Sequence, residues 1–203
     1  MISSIRFAVL SACVGMAMMT SSCDEISKAS QIGVPITVSF AIDAEGAISP
    51  TEDVSCTDLS ENKDFNDNKD KVVGGSVKQA YVRLGTVSNP RFSDPSITLD
   101  NAVLQSVRYV LVFDERYGDK REYEIASASN VPLRQLMTTS PTEKGYLLPA
   151  SSGTINDAVK LIARRPKFCV RSIYGPLVGG GTVAADRIEG SLDVTFEFKV
   201  ETL

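Results

Sequence analysis

Histidine is absent from the 203 residues, so any chemistry would fall to carboxylates, lysines, serines and backbone groups. Without it there is no Ser–His or Cys–His nucleophile, no imidazole proton shuttle and no imidazole metal ligand. The stretch richest in oxygen donors is Asp58 to Asp70 (DLSENKDFNDNKD). Asp64, Asn66, Asn68 and Asp70 occupy positions 1, 3, 5 and 7 of a calcium-loop pattern. Lys69 stands where that loop needs glycine for its sharp turn, and Gly75 where it needs a bidentate glutamate. Lys63, Lys69 and Lys71 also offset the local negative charge. A solvated loop or a single helical turn accounts for the same residues without a metal.

Three further patterns match by letters. Ser60 to Lys63 (SENK) has the spacing of serine acyl-enzymes, in which a desolvated lysine activates the serine. Its polar surroundings would leave that lysine charged, and no S-D-N or K-T-G partner follows. Glu122 and Glu124 could serve as paired carboxylates in glycoside hydrolysis. They alternate beside Lys120 and Arg121, however, which suits cross-strand ion pairing. Gly179-Gly180-Gly181 with Ala184 has the letters of a dinucleotide fingerprint, but that motif needs a full helix and then a parallel strand. A loop between neighbouring strands, able to serve as a contact surface, is the expected use.

The N-terminus reads as an address. Arg6 is the sole charge before Cys23, Phe7 to Met19 is apolar, and Thr20-Ser21-Ser22-Cys23 follows. The apolar run is shorter than the ~20 residues needed to span a bilayer. Residues 1–22 are therefore expected to be a secretory signal peptide. Ser21, Ser22 and Cys23 resemble the lipobox of bacterial lipoproteins, with Thr20 where Leu is usual, a departure typical of the Bacteroidetes type. Leu10 to Cys13 matches better by letters but leaves too short an apolar core after Arg6. The resemblance implies cleavage before Cys23 and acylation, with palmitate-type chains, of its thiol and new amine. An ordinary cleaved signal peptide and an uncleaved anchor are the alternatives. Asp24-Glu25 come next; an Asp just after the Cys implies inner-membrane retention in enterobacterial lipoproteins, whereas early acidic residues resemble a surface-export signal in Bacteroidetes ones. The location expected is the bacterial cell envelope, at the outer membrane, on its periplasmic face or the cell surface.

Cys13 would leave with the signal peptide and Cys23 would carry lipid. That leaves Cys56 and Cys169, an even pair in an oxidising compartment, and a disulfide between them is expected.

The elements that must position these groups are mostly strands. Residues 23–31 are expected to be a lipidated end and polar tether, and residues 32–203 a single domain. In Ile32 to Ile42 every second residue is apolar, and in Ser191 to Glu201 Leu192, Val194, Phe196, Phe198 and Val200 alternate with polar residues. Period two marks strands buried on one face, and Pro35 places the first at a sheet edge. Val77 to Val87, Ser96 to Leu104, Val107 to Phe113, Arg121 to Ser127 and Lys167 to Tyr174 also read as strands, with a hairpin turn at Asp114 to Lys120. Thr154 to Arg165 carries a helical apolar stripe, Ile155, Ala158, Val159, Ile162 and Ala163, with Thr154 and Asp157 as cap residues and Pro166 as its stop. Pro132 to Thr138 offers a shorter helix. The spacing predicts a mainly β fold, an antiparallel β-sandwich of Greek-key-like order with one or two short crossover helices.

With 21 basic and 25 acidic residues the chain has no cationic footprint for nucleic acid. Loss of residues 1–22 removes only Arg6 and leaves a charge of −5. The expected role is non-enzymatic binding or structure, with no catalytic residue, cofactor or metal. Its partners would be the membrane, through the acyl chains, and an envelope protein or glycan. A carboxylate-dependent envelope hydrolase and a surface-fibre subunit joined through the edge at Ile32 to Ile42 are the competing readings.

Overall fold

Alternation along the C-terminal strand sets the plan of the molecule. A computed structural model describes residues 31–113, 122–137, 144–151 and 155–202. In it Leu192, Val194, Phe196, Phe198 and Val200 are all buried, on a strand β9 (Val183–Glu201) longer than its alternating core. β9 lies between β1 (Gln31–Ser49) and β3 (Val72–Ser88), antiparallel to both, with Phe196 opposite Ile36 on one side and Val77 on the other. β7 (Tyr146–Leu148) extends this sheet beyond β3, and the short β4 (Arg91–Phe92) also pairs with β9. The second sheet has the order β2 (Thr51–Asp58), β8 (Lys167–Tyr174), β5 (Val103–Val112), β6 (Tyr123–Pro132), again antiparallel.

The fold is thus an antiparallel β-sandwich in which the last two strands slot between earlier ones. The chain passes between the sheets repeatedly, first between β1 and β2, at the cis Ser49–Pro50 bond, and last between β8 and β9. The first crossing is tied to the last: the buried Ser49 hydroxyl donates to the Gly175 carbonyl. β1 is an edge strand, as Pro35 requires. Burial begins at Ile36; Ile32 is half exposed, because the end of an edge strand has a neighbour on one side only.

Aromatic rings knit the two inner faces. Phe168 of β8 stands edge-on to Phe40 of β1 and Phe196 of β9, at centroid distances of 5.9 and 6.0 Å. Helix α1 (Lys63–Asn68) adds Phe65 against Phe198, 5.8 Å away; Asn62 caps it by accepting from the Phe65 N–H. The side of the sandwich away from β1 is closed by α3 (Ile155–Arg164), packed against β3 and β6, after a single turn α2 (Leu133–Leu136). Ile155, Ala158, Val159 and Ile162 are the buried stripe; Thr154, the expected cap, lies outside the described residues. Close approach of α3 depends on Gly74 and Gly75. A Cβ on Gly74 would collide with the Asn156 amide, and one on Gly75 with the Glu197 carbonyl and Val159. Asn156 Oδ1 instead accepts the Gly75 N–H at 2.9 Å.

One expectation needs correction. Ser96 to Leu104 is not a strand before Val103. Asp94 accepts from the Ser96 N–H and hydroxyl, and Asn101 accepts from the Thr98 N–H, so side chains satisfy the backbone in turns and displace a ladder. Thr51–Asp58, for which periodicity gives no signal, forms β2 with its apolar residues pointing outward. β5 and β6 pair as the expected hairpin requires, while its turn at 114–120 lies outside the described residues.

Candidate functional site

On the outer face of the second sheet, Cys56 of β2 and Cys169 of β8 sit directly opposite each other and are disulfide-bonded, 113 residues apart in sequence. The bridge floors a shallow groove of about 670 Å³, walled by Val54, Val112 and Phe113. Val54 is 54% exposed there. Charged pairs ring the groove and the adjoining face: Lys167–Asp58 at 3.3 Å, Arg171–Glu122 at 3.0 Å and Arg108–Glu124 at 2.9 Å. Glu124 also accepts from the Ser127 hydroxyl, which with Arg108 holds its carboxyl below the usual range. Glu122 and Glu124 therefore act as the cross-strand pairing partners that their spacing suggests.

The acidic segment folds as a cap on the sandwich. Asp64, Asn66 and Asn68 lie on α1, and Asp70 lies in the 3-10 turn Lys69–Lys71. Alternate residues on a helix point to widely separated directions, so these four do not converge as loop ligands would. Asn66 donates to the Ser60 carbonyl and accepts from Lys69, and Asn68 donates to the Asp64 carbonyl. Among the described residues no three of His, Cys, Asp or Glu gather as a metal site. Ser60 is exposed, its N–H donating to Asp58, whose carboxyl is thereby lowered.

A second cleft, about 730 Å³, opens between the start of β3 and the outer side of α3. Val72, Val73, Ala163 and Pro166 form its apolar wall, and Lys69, Lys160, Arg164 and Asp70 its charged groups. Lys160 and Arg164 are one helical turn apart, and among the described residues neither has a carboxylate partner. No single segment carries this cleft, since Lys69 and Lys160 come from elements far apart in sequence, so periodicity and motifs give no signal of it.

Gly179 and Gly180 adopt positive φ, 93° and 88°, in a tight turn in which Leu177 N–H donates to the Gly181 carbonyl. Strand β9 follows at Val183, not a helix, so the segment has no dinucleotide-binding context. Cys23 and residues 1–30 lie outside the described residues. No helix among the described residues is long and apolar enough to cross a membrane. No protein-family model matches the chain, and no curated protein matches it.

Titration of these groups makes a prediction. Glu124, Asp58, Asp94 and Asp186 all have lowered carboxyl pKa values, set chiefly by hydrogen bonds from Ser127, Ser60, Ser96 and Asn89 respectively. Folding then favours their ionised forms, so their contribution is present above the unfolded carboxylate pKa of about 4 and is lost as pH falls below it. Tyr109 and Tyr174 are buried with their hydroxyls 2.8 Å apart, and burial drives both pKa values up, Tyr174 to about 12. Their contribution is complete below the unfolded tyrosine pKa of about 10 and is lost as pH rises through the folded value. With no histidine to titrate, thermal midpoints should be flat from about pH 5.5 to 8.5 and fall on both sides. A step near pH 6.5 in a calorimetric series would contradict this.

Proposed function

We propose that the chain is a lipid-anchored protein of the bacterial cell envelope that presents its β-sandwich for binding or assembly rather than for catalysis. The observation that carries this reading is the N-terminal run of Arg6, apolar Phe7 to Met19 and Ser21-Ser22-Cys23. Two structural features support it. β1 begins at Gln31, only a short polar segment after Cys23, so a tether and then a domain follow the acylation site. The Cys56–Cys169 bridge suits an oxidising compartment, where disulfides persist. The groove over that bridge and the loop at Gly179 are the contact surfaces for an envelope protein or glycan.

The expected mature form begins at acylated Cys23, and Cys23→Ala moves the protein from the membrane to the soluble fraction. Intact-mass measurement checks the first point and membrane fractionation the second: residues 1–22 still attached, no acyl mass, or a Cys23→Ala variant that stays with the membrane would refute the reading.

A fibre-subunit reading has one observation of its own. β1 is a 19-residue edge strand whose side away from β9 carries no strand among the described residues. Such an edge can accept another chain by β-augmentation, although Pro35 interrupts its donors. Ladders of covalent or detergent-stable oligomers from native membranes would favour this reading over a monomeric binder.

A further inference from the structure

We propose that the cleft of Lys69, Lys160 and Arg164 receives the phosphate of an anionic phospholipid headgroup in the membrane that holds the anchor. The inference rests on the lipid anchoring proposed above. Register sets the geometry: Ile32, Val200 and Val72 form one row across β1, β9 and β3. With strands ~4.8 Å apart, Val72 lies about 10 Å from the point where the chain emerges. Val72 and Val73 line the cleft, so it opens at the anchored end of the sandwich. Residues 24–30 separate Cys23 from Gln31, a span of at most ~25 Å when fully extended. A tether this short keeps that end close to the headgroups.

Charge supplies the second argument. The mature chain is acidic, yet among the described residues three cations line this cleft against one carboxylate, Asp70. Asp64 and Asp67 on α1, Asp157 on α3 one turn before Lys160, and Glu201 at the end of β9 are nearby acids outside the lining, and Lys199 is a further exposed base. Helix-end electrostatics accounts for Arg164 in the last turn of α3, but not for Lys160 a turn earlier. The guanidinium fork suits phosphate oxygens, and Lys160 and Lys69 add point charges from two walls. Ile32, 50% exposed in the same row, offers an apolar side chain to the interface.

The test uses the full-length acylated protein reconstituted in vesicles of phosphatidylcholine alone or of equal parts phosphatidylcholine and phosphatidylglycerol. Lysine modification by a water-soluble acylating reagent is read by peptide mass spectrometry. Lys69 and Lys160 should react about fivefold more slowly in the anionic vesicles, while Lys144, beside Tyr81 further along β3, is unchanged. Inorganic phosphate added to the neutral vesicles should not reproduce the protection. Replacing Lys160 and Arg164, singly by Gln or together by Glu, should abolish protection of Lys69 with the thermal midpoint retained. Equal rates in both vesicles, protection by free phosphate, or protection that survives in the folded variants would each overturn the proposal. Protein that carries no acyl mass and does not float with vesicles defeats the anchoring itself. Protein that floats with its lysines unprotected defeats only the headgroup site.

Discussion

Replacing both Cys56 and Cys169 by Ser lowers the unfolding free energy by roughly 4–5 kcal/mol at 25 °C, the value that chain entropy assigns to a loop of this length. The bridged residues are 113 apart, so the cross-link removes a large fraction of the unfolded chain's freedom. On the folded side little is lost, because β2 and β8 remain paired from Thr51–Tyr174 to Asp58–Lys167. Against a typical domain stability of about 5–15 kcal/mol, the effect is large. It should also be local: among the described residues β2 has β8 as its one ladder partner, so hydrogen exchange in Thr51–Asp58 should rise more than in β9. Urea titration of the wild type, with and without reductant, and of the double variant measures both effects. A loss below about 1 kcal/mol would mean that the unfolded chain is already compact enough for the bridge to constrain little.

What the sequence makes legible follows from how each element is stabilised. β1, β9 and α3 are held by apolar faces contributed by their own residues, so period two or period 3.6 reveals them. β2 inverts the rule: Val54 and Cys56 point outward, while Asp53, Ser55 and Thr57 are the half-buried positions. Its strand conformation comes from pairing with β8 and from the bridge, neither of which leaves a periodic trace. In Ser96 to Leu104 the apolar spacing suggests a strand, but Asp94 and Asn101 capture the backbone first. Counting cysteines reaches the disulfide; it does not reach the groove above it, which needs Val112 and Phe113 from β5 and its end. The cationic cleft is less legible still. Its lysines look like solvated charge on two separate helices until α3 docks beside the start of β3, which Gly74 and Gly75 allow.

The contrast between neighbouring residues of β9 gives the sharpest check on that docking of faces. Phe196→Ala should destabilise by about 3–5 kcal/mol, because its ring is fully buried and leaves a cavity that rigid neighbours fill only partly. Those neighbours are aromatic: Phe168 from the opposite sheet at 6.0 Å and Phe198 on the same strand at 6.4 Å. Removing one ring therefore strips contacts from both sheets at once. Phe196→Leu should cost much less, since it keeps most of the volume. Glu197, one residue on, faces outward; it pairs with Lys78 at 2.8 Å and receives a long hydrogen bond from Ser76. Partly exposed ion pairs contribute about 0–1 kcal/mol, so Glu197→Ala should change the denaturation midpoint little. Equal small effects at both positions would place the ring outside the interface between the sheets. Equal large effects would mean that Glu197 supports β1 and β3 beyond its ion pair, through its close packing against Gly33 and Ser76. The expected order, Phe196→Ala far above Phe196→Leu and Glu197→Ala, holds only if the alternation of β9 points its apolar face across the sandwich.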